Sequence, residues 1–79
     1  MEAIFKKRIE AAFISKEFIK IIFQYPAAKK AIIKRGVVTS IGSDGFELEE
    51  ILDGLVTYSY KFITEIKGEG EECQKILKA

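Results

Sequence analysis

The sequence predicts a mainly β protein: a small barrel of five short, strongly bent antiparallel strands, preceded by a short N-terminal α-helix. Three observations point there. Between Gly36 and Ile66, three apolar, alternating segments are separated by Asp44-Gly45 and Asp53-Gly54, dipeptides that are strong short-range hairpin signals. Residues 2–14 carry an apolar stripe of helical spacing. Gly36 sits in the middle of a β-branched segment, where glycine weakens a strand unless a sharp bend or close backbone approach requires it.

Residues 2–14 place Phe5, Ile9, Ala12 and Phe13 on one face of a helix, with Lys6, Lys7 and Glu10 directed away. Glu2 suits the first turn, where the helix dipole favours an acid. Ser15 has little breaking strength. Residues 17–25 are rich in β-branched and aromatic side chains and end at Pro26, which favours a first strand; a continuous helix over 2–24 is the competing expectation. Residues 26–30 form a basic connection. Residues 31–41 are expected as the second strand and 46–52 as the third, with Phe46 and Leu48 on one side and Glu47 and Glu49 on the other. The fourth strand, 55–60, puts Val56, Tyr58 and Tyr60 on one face. Lys61-Phe62 suits a single tight turn before a fifth strand over 63–67. Residues 68–79 hold two glycines and an acidic cluster, expected as an acidic, mobile tail or a short helix over 71–78. Residues 1–67 thus make one domain, without internal repeats.

A 79-residue chain buries only about 60% of its unfolded surface, leaving a thin stability margin. Small domains compensate with disulfides, metals or association. One cysteine, Cys73, precludes an internal disulfide, and the lack of histidine removes Cys/His zinc sites. Self-association is the remaining device, and the 48% hydrophobic content accords with it. Without histidine no side chain has an ordinary pKa near neutrality, and no Ser-His or Cys-His nucleophile pair can form. No catalytic role, cofactor or metal is therefore expected. The acids Glu47, Glu49, Glu50 and Asp53 are expected as a solvated face, because alternate strand residues do not converge on a cation. Cys73, in a polar segment with acids on one side, is not expected to be activated. The N-terminus lacks the organisation of a signal peptide and no apolar run approaches the roughly 20 residues that span a bilayer, so a cytoplasmic location with no membrane contact is expected.

Net charge is +1 but uneven. Residues 1–36 hold nine basic against three acidic side chains, a net of +6, and residues 37–79 hold four against nine, a net of −5. Such asymmetry suits a nucleic-acid face, or subunits that meet basic side to acidic side.

A helix followed by five bent strands, with a one-turn break before the last, resembles the Sm-like (LSm) family, whose barrels are SH3-like. Ile32 to Ile41 resembles the strand that leads through a glycine into a variable loop, and Asp44-Gly45-Phe46 resembles the Asp-x-aromatic loop of the first Sm motif. Tyr58 to Ile66 resembles the second motif, particularly the Tyr-Lys-His-Ala-Ile segment of the bacterial branch, Hfq. The resemblance covers roughly residues 3–67. Phe62 stands where Hfq has an RNA-contacting histidine, the following segment is one residue shorter, the loop Gly42–Gly45 is longer, and the asparagine of eukaryotic Sm loops is missing.

The resemblance implies a homo-oligomeric ring, usually a hexamer or heptamer, joined by the fourth strand of one subunit and the fifth of the next. It implies single-stranded RNA, uridine- or adenosine-rich, bound around the pore, and a chaperone or scaffold function. In that scheme Phe46 stacks on a base, Lys61 reaches the base or its phosphate, and Tyr60 lies beside it. Lys6, Lys7 and Arg8 would repeat around the ring as a basic belt. Core packing is the alternative role for Phe46, and simple solvation the alternative for Lys61 and the helix cations. A small SH3-like barrel serving as a protein-interaction or assembly module without RNA is the other functional class that this fold accommodates.

Overall fold

The structure, a computed structural model, describes residues 2–68. The expected acidic tail lies outside the described residues except for Gly68, which ends the last strand. Helix α1 spans Glu2–Ser15. It is followed by β1 (Phe18–Phe23), β2 (Ile32–Ile41), β3 (Gly45–Glu50), β4 (Gly54–Ser59), a single 3₁₀ turn η1 (Tyr60–Phe62) and β5 (Ile63–Gly68). One antiparallel sheet in the order β4-β3-β2-β1-β5 contains all five strands. The mainly β architecture with a short N-terminal helix is therefore the one expected.

Helix α1 buries Ile9 and Ala12 completely, with Phe5 and Phe13 packed partly against the same core. It ends because Lys16 takes a left-handed conformation, φ 57°, the usual way a helix reverses direction at its C-terminus. Arg8 then donates to the Glu17 carboxylate at 2.7 Å, which ties the helix to the turn and removes the continuous-helix alternative. Past the turn, Ile19, Ile21 and Phe23 are fully buried and alternate with half-buried neighbours. That period of two is what a strand with one core face requires. The regular strand ends at Phe23, two residues short of its expected limit.

Strand β2 joins the two halves of the sheet. Its first part pairs with β1, from Phe23↔Ile32 to Phe18↔Val37, and its second part with β3, from Gly36↔Glu50 to Ile41↔Phe46. The two ladders overlap at Gly36 and Val37. A side chain at Gly36 would place its Cβ 2.0 Å from the Glu49 carbonyl oxygen, so hydrogen at this position is what lets β2 and β3 approach there. A register irregularity between Val38 and Ser40 adds further bending.

The two Asp-Gly dipeptides do different work. Asp53-Gly54 closes the three-residue turn Ile51–Asp53, with Gly54 at φ 75°, as the glycine of a three-residue hairpin does. At Asp44-Gly45 the glycine is already in β3 and carries no positive φ. The reversal falls on Ser43-Asp44, closed by Gly42 N–H donating to the Gly45 carbonyl at 2.8 Å. The third strand also stops at Glu50 rather than Leu52. The apolar pair Ile51-Leu52 had extended the expected strand, but both residues belong to the turn and are exposed.

The sheet coils on itself. The Phe23 and Tyr58 rings stack with centroids 4.7 Å apart, although β1 and β4 are separated in the sheet by β2 and β3. Gln24 N–H donates to the Phe62 carbonyl at 2.8 Å, binding η1 to the end of β1. Ile9 and Ala12 of the helix join Phe23, Val38, Phe46, Leu48, Tyr60 and Ile63 in one core. No helix among the described residues is long and apolar enough to cross a membrane.

Replacing Gly36 by Ala should lower stability by about 3 kcal/mol or more, because the clash is with backbone of the paired strand and cannot be relieved by a rotamer change. Urea unfolding followed by circular dichroism measures it; a loss under about 1 kcal/mol would show that β2 and β3 can separate at little cost.

Candidate functional site

The six side chains expected to contact RNA come to one end of the barrel only in part. Strands β2 and β3 turn at Ser43-Asp44, and β4 enters η1 beside that turn. Tyr60 N–H donates to the Asp44 carbonyl at 3.3 Å, and the Tyr60 hydroxyl donates to the Gly42 carbonyl at 3.0 Å. Phe46 stacks on Tyr60 with centroids 5.5 Å apart. From the first turns of α1, Lys6 places its ammonium 5.9 Å from the centre of the Tyr60 ring, a cation–π contact. Phe46, Tyr60 and Lys6 thus form one connected stack, with Lys61 next along the chain and exposed.

Burial changes the roles of the two rings. Phe46 is 2% exposed and Tyr60 3%. Phe46 is packed by Tyr60 on one side and meets Tyr58, tilted, at 6.0 Å. It therefore offers no ring to a base; the barrel-core alternative describes it. The physical reason is the alternation of β3, which turns Phe46 and Leu48 to the interior. Tyr60 is a core residue as well, with its hydroxyl satisfied by Gly42. Among the cations, Arg8 is committed to Glu17 and Lys6 to the Tyr60 ring, so Lys6 does not simply point away from the barrel. Lys7 and Lys61 are exposed. The aromatic part of the expected interface is thus interior, and its solvent-facing part is cationic.

A second constellation lies at the opposite end, where β3 turns into β4. Glu50 is 6% exposed, although it was expected on a solvated acidic face. Counting in twos from Phe46 through Leu48 puts Glu50 on the inner side, a signal that the run Glu47, Glu49, Glu50 obscured. The Tyr58 hydroxyl donates to its carboxylate, and Lys34 lies 3.4 Å from the other oxygen. Lys34 also donates to Asp53 at 3.0 Å. Two cross-strand partners thus compensate the carboxylate, as a buried charge requires. No buried side-chain polar atom among the described residues lacks a hydrogen-bond partner. The described residues also hold no cluster of acids or cysteine arranged for a metal ion.

The electrostatics follow from these contacts. The Lys34 hydrogen bond holds the Asp53 carboxyl below its ordinary value, and the same bond raises Lys34. All three tyrosines are raised. Burial is the largest cause at each; the Glu50 contact adds to it at Tyr58, and the nearby Glu10 adds to it at Tyr60. Burial at Tyr25 is opposed by Lys34 and supported by Glu50. Tyr25 sits between Phe23, at 5.9 Å, and Phe62, at 4.9 Å. Phe62 therefore packs against Tyr25 instead of presenting a polar edge at the loop.

Two outcomes test this placement. Phe46→Ala should destabilise the fold by about 3–5 kcal/mol, the range for emptying a buried phenylalanine site, measured by urea unfolding; an unchanged midpoint would mean the ring is not in the core. Each tyrosine is held neutral in the fold, so its folded pKa lies above its unfolded value near 10. Their contribution to stability is complete below pH 10 and is lost as pH rises through the folded values. Native-state tyrosinate absorbance should accordingly develop above pH 10; a smooth titration centred on pH 10 would overturn the shielding of the phenols from solvent. Comparison with known family models, curated proteins and solved structures gives no match to this chain.

Proposed function

We propose that this chain is a non-enzymatic assembly module of the Sm-like kind, which closes into a homo-oligomeric ring through its two outer strands and takes single-stranded RNA on the cationic face formed by α1 and η1. The observation that carries this reading is the character of β4. It ends the sheet and runs six residues, Gly-Leu-Val-Thr-Tyr-Ser, without a charge or a proline. Leu55 on it is 59% exposed. Exposed edges of soluble proteins are ordinarily blunted by lysine, proline, bulges or shortness, because an open ladder pairs with any strand that meets it. An edge left unguarded suits a strand partner, and β5, also six residues long, ends the sheet on its other side. Pairing β4 of one copy with β5 of the next uses a different surface on each partner, the kind of contact that generates rings when the rotation closes.

The RNA part rests on Lys7 and Lys61, both exposed, with Lys6 at the same end over Tyr60. One copy supplies few phosphate contacts. A ring repeats them, and the resulting affinity falls steeply with salt. With Phe46 and Tyr60 in the core, the contact is electrostatic and its base preference weak. That same burial favours a second reading, an assembly module without RNA, because the rings that would stack on bases are occupied in holding the barrel together.

Light scattering coupled to size-exclusion chromatography should give six or seven copies of the 8.9 kDa chain, and Leu55→Lys with Thr57→Lys, both at exposed positions of β4, should return it to a folded monomer. A parent that is monomeric at tens of micromolar would end the ring reading. Oligo-U or oligo-A retention by the parent should drop at least tenfold in Lys7→Ala/Lys61→Ala, with a shallower salt slope; an oligomer that retains neither oligonucleotide at low salt would leave the assembly module without RNA.

A further inference from the structure

An apolar groove of about 360 Å³ opens beside the start of β4, walled by Ile33, Ile51 and Leu52 together with Lys34, Arg35 and Glu50. Leu52 is 92% exposed, Ile51 64% and Ile33 53%. Three large aliphatic side chains standing in water around one concavity mark a surface that something covers. Neither the RNA face nor the core makes use of it.

The topology says what arrives there, given the edge pairing proposed above, on which this inference rests. Strands β4 (Gly54–Ser59) and β5 (Ile63–Gly68) have equal length. Aligned antiparallel along their whole lengths, Ile63 of one copy faces Ser59 of the next, and Gly68 faces Gly54. The chain that continues past Gly68 then runs on beyond the start of β4, where the neighbour's Asp53, Leu52 and Ile51 stand. That continuation is residues 69–79, Glu-Gly-Glu-Glu-Cys-Gln-Lys-Ile-Leu-Lys-Ala.

We infer that residues 69–79 of one copy dock in the groove beside β4 of the next, with Ile76 and Leu77 against Ile33, Ile51 and Leu52. The chemistry of the two sides matches. Ile76-Leu77 is the only adjacent pair of large aliphatic residues in that segment, and both sides carry charges of both signs: Lys34, Arg35, Glu50 and Asp53 around the groove, and Glu71, Glu72, Lys75 and Lys78 around the aliphatic pair. The span also suffices: eight residues from Gly68 to Ile76 reach about 26 Å when extended, at roughly 3.3 Å per residue. Within its own subunit Gly68 is separated by β1 from the groove's nearest wall on β2, through the pairings Gly68↔Ile19 and Ile19↔Gly36, with Arg35 next to Gly36. Two strand spacings of about 4.8 Å separate it from that wall. In the neighbour it starts beside the groove. Docking of this kind extends the interface past the strand ladder and covers the exposed Ile33, Ile51 and Leu52.

Cys73, the single cysteine, makes the contact measurable. Leu52→Cys adds a thiol at an exposed position in the groove, and Ser43→Cys adds one at the exposed turn at the opposite end of the barrel. Both full-length variants are treated with diamide, which oxidises a thiol pair to a disulfide and is itself reduced to the hydrazine. They are resolved on non-reducing gels beside light scattering of the same samples. Leu52→Cys should give a ladder of disulfide-linked dimers and higher species, lost in Leu52→Cys/Cys73→Ser and at least tenfold weaker in Ser43→Cys. An oligomer by light scattering with no ladder, or with equal ladders from both variants, overturns the docking and leaves edge pairing standing. A fast-migrating monomer with an internal disulfide overturns it in favour of the subunit's own groove. A monomeric parent with no ladder removes the edge pairing and the docking together.

Discussion

The close approach at Gly36 is the constraint on which the rest of the barrel depends. Strand β2 must pair with β1 along one half and with β3 along the other, and the two ladders meet where the glycine lies against the Glu49 carbonyl. A side chain there would hold β2 and β3 apart. Without that approach the Phe23 and Tyr58 rings would not reach each other across the coil, and the core under α1 would open. The domain is small enough that it has one core and little surplus burial, so a single backbone contact has this much consequence.

Coiling of the sheet also explains the contrast between the two ends of the barrel. At the end formed by η1 and the β2–β3 turn, aromatic rings are drawn inward and cations are left outside, with Lys6 spanning the two over Tyr60. At the other end an acid is drawn inward and aliphatic residues are left outside. Glu50 follows Phe46 and Leu48 on the inner face and is compensated by Tyr58 and Lys34, while the turn that follows it pushes Leu52 into solvent. Buried charge is retained only when fully partnered, and the network around Glu50 meets that condition with partners from β2 and β4. Beside it lies an edge strand without charge. The β3–β4 end thus combines a partnered interior charge with exposed aliphatic residues, and the helix end leaves Lys7 and Lys61 exposed.

Element order was legible from local chemistry. The stripe Phe5, Ile9, Ala12, Phe13 and the three segments after Gly36 each report a period, and the β-branched and aromatic content of residues 17–25 favoured a strand over the competing helix, so the element positions agree closely with the structure. Boundaries failed where composition and geometry disagreed. Ile51 and Leu52 have strand-like side chains yet sit in a turn, because the ladder ends at the Glu50↔Gly54 pair. The left-handed turn at Lys16 carried no glycine to announce it. Of the candidate site, the cations on the surface were legible and the interior rings were not: nothing local separates an aromatic residue that stacks on a ligand from one that fills a core.

By itself the sequence determined which segments are helix and strand, that these residues include no histidine and a single cysteine, and that charge is divided between the two halves. These follow from periodicity, turn residues and composition, which act over a few residues. Only the tertiary structure decided that Phe46 and Tyr60 face inward, that Glu50 is a partnered interior charge, that Arg8 belongs to Glu17, and that β4 and the groove beside it stand uncovered. Each of those depends on which distant strand lies alongside, and pairing across a coiled sheet is set by the packing of the whole chain.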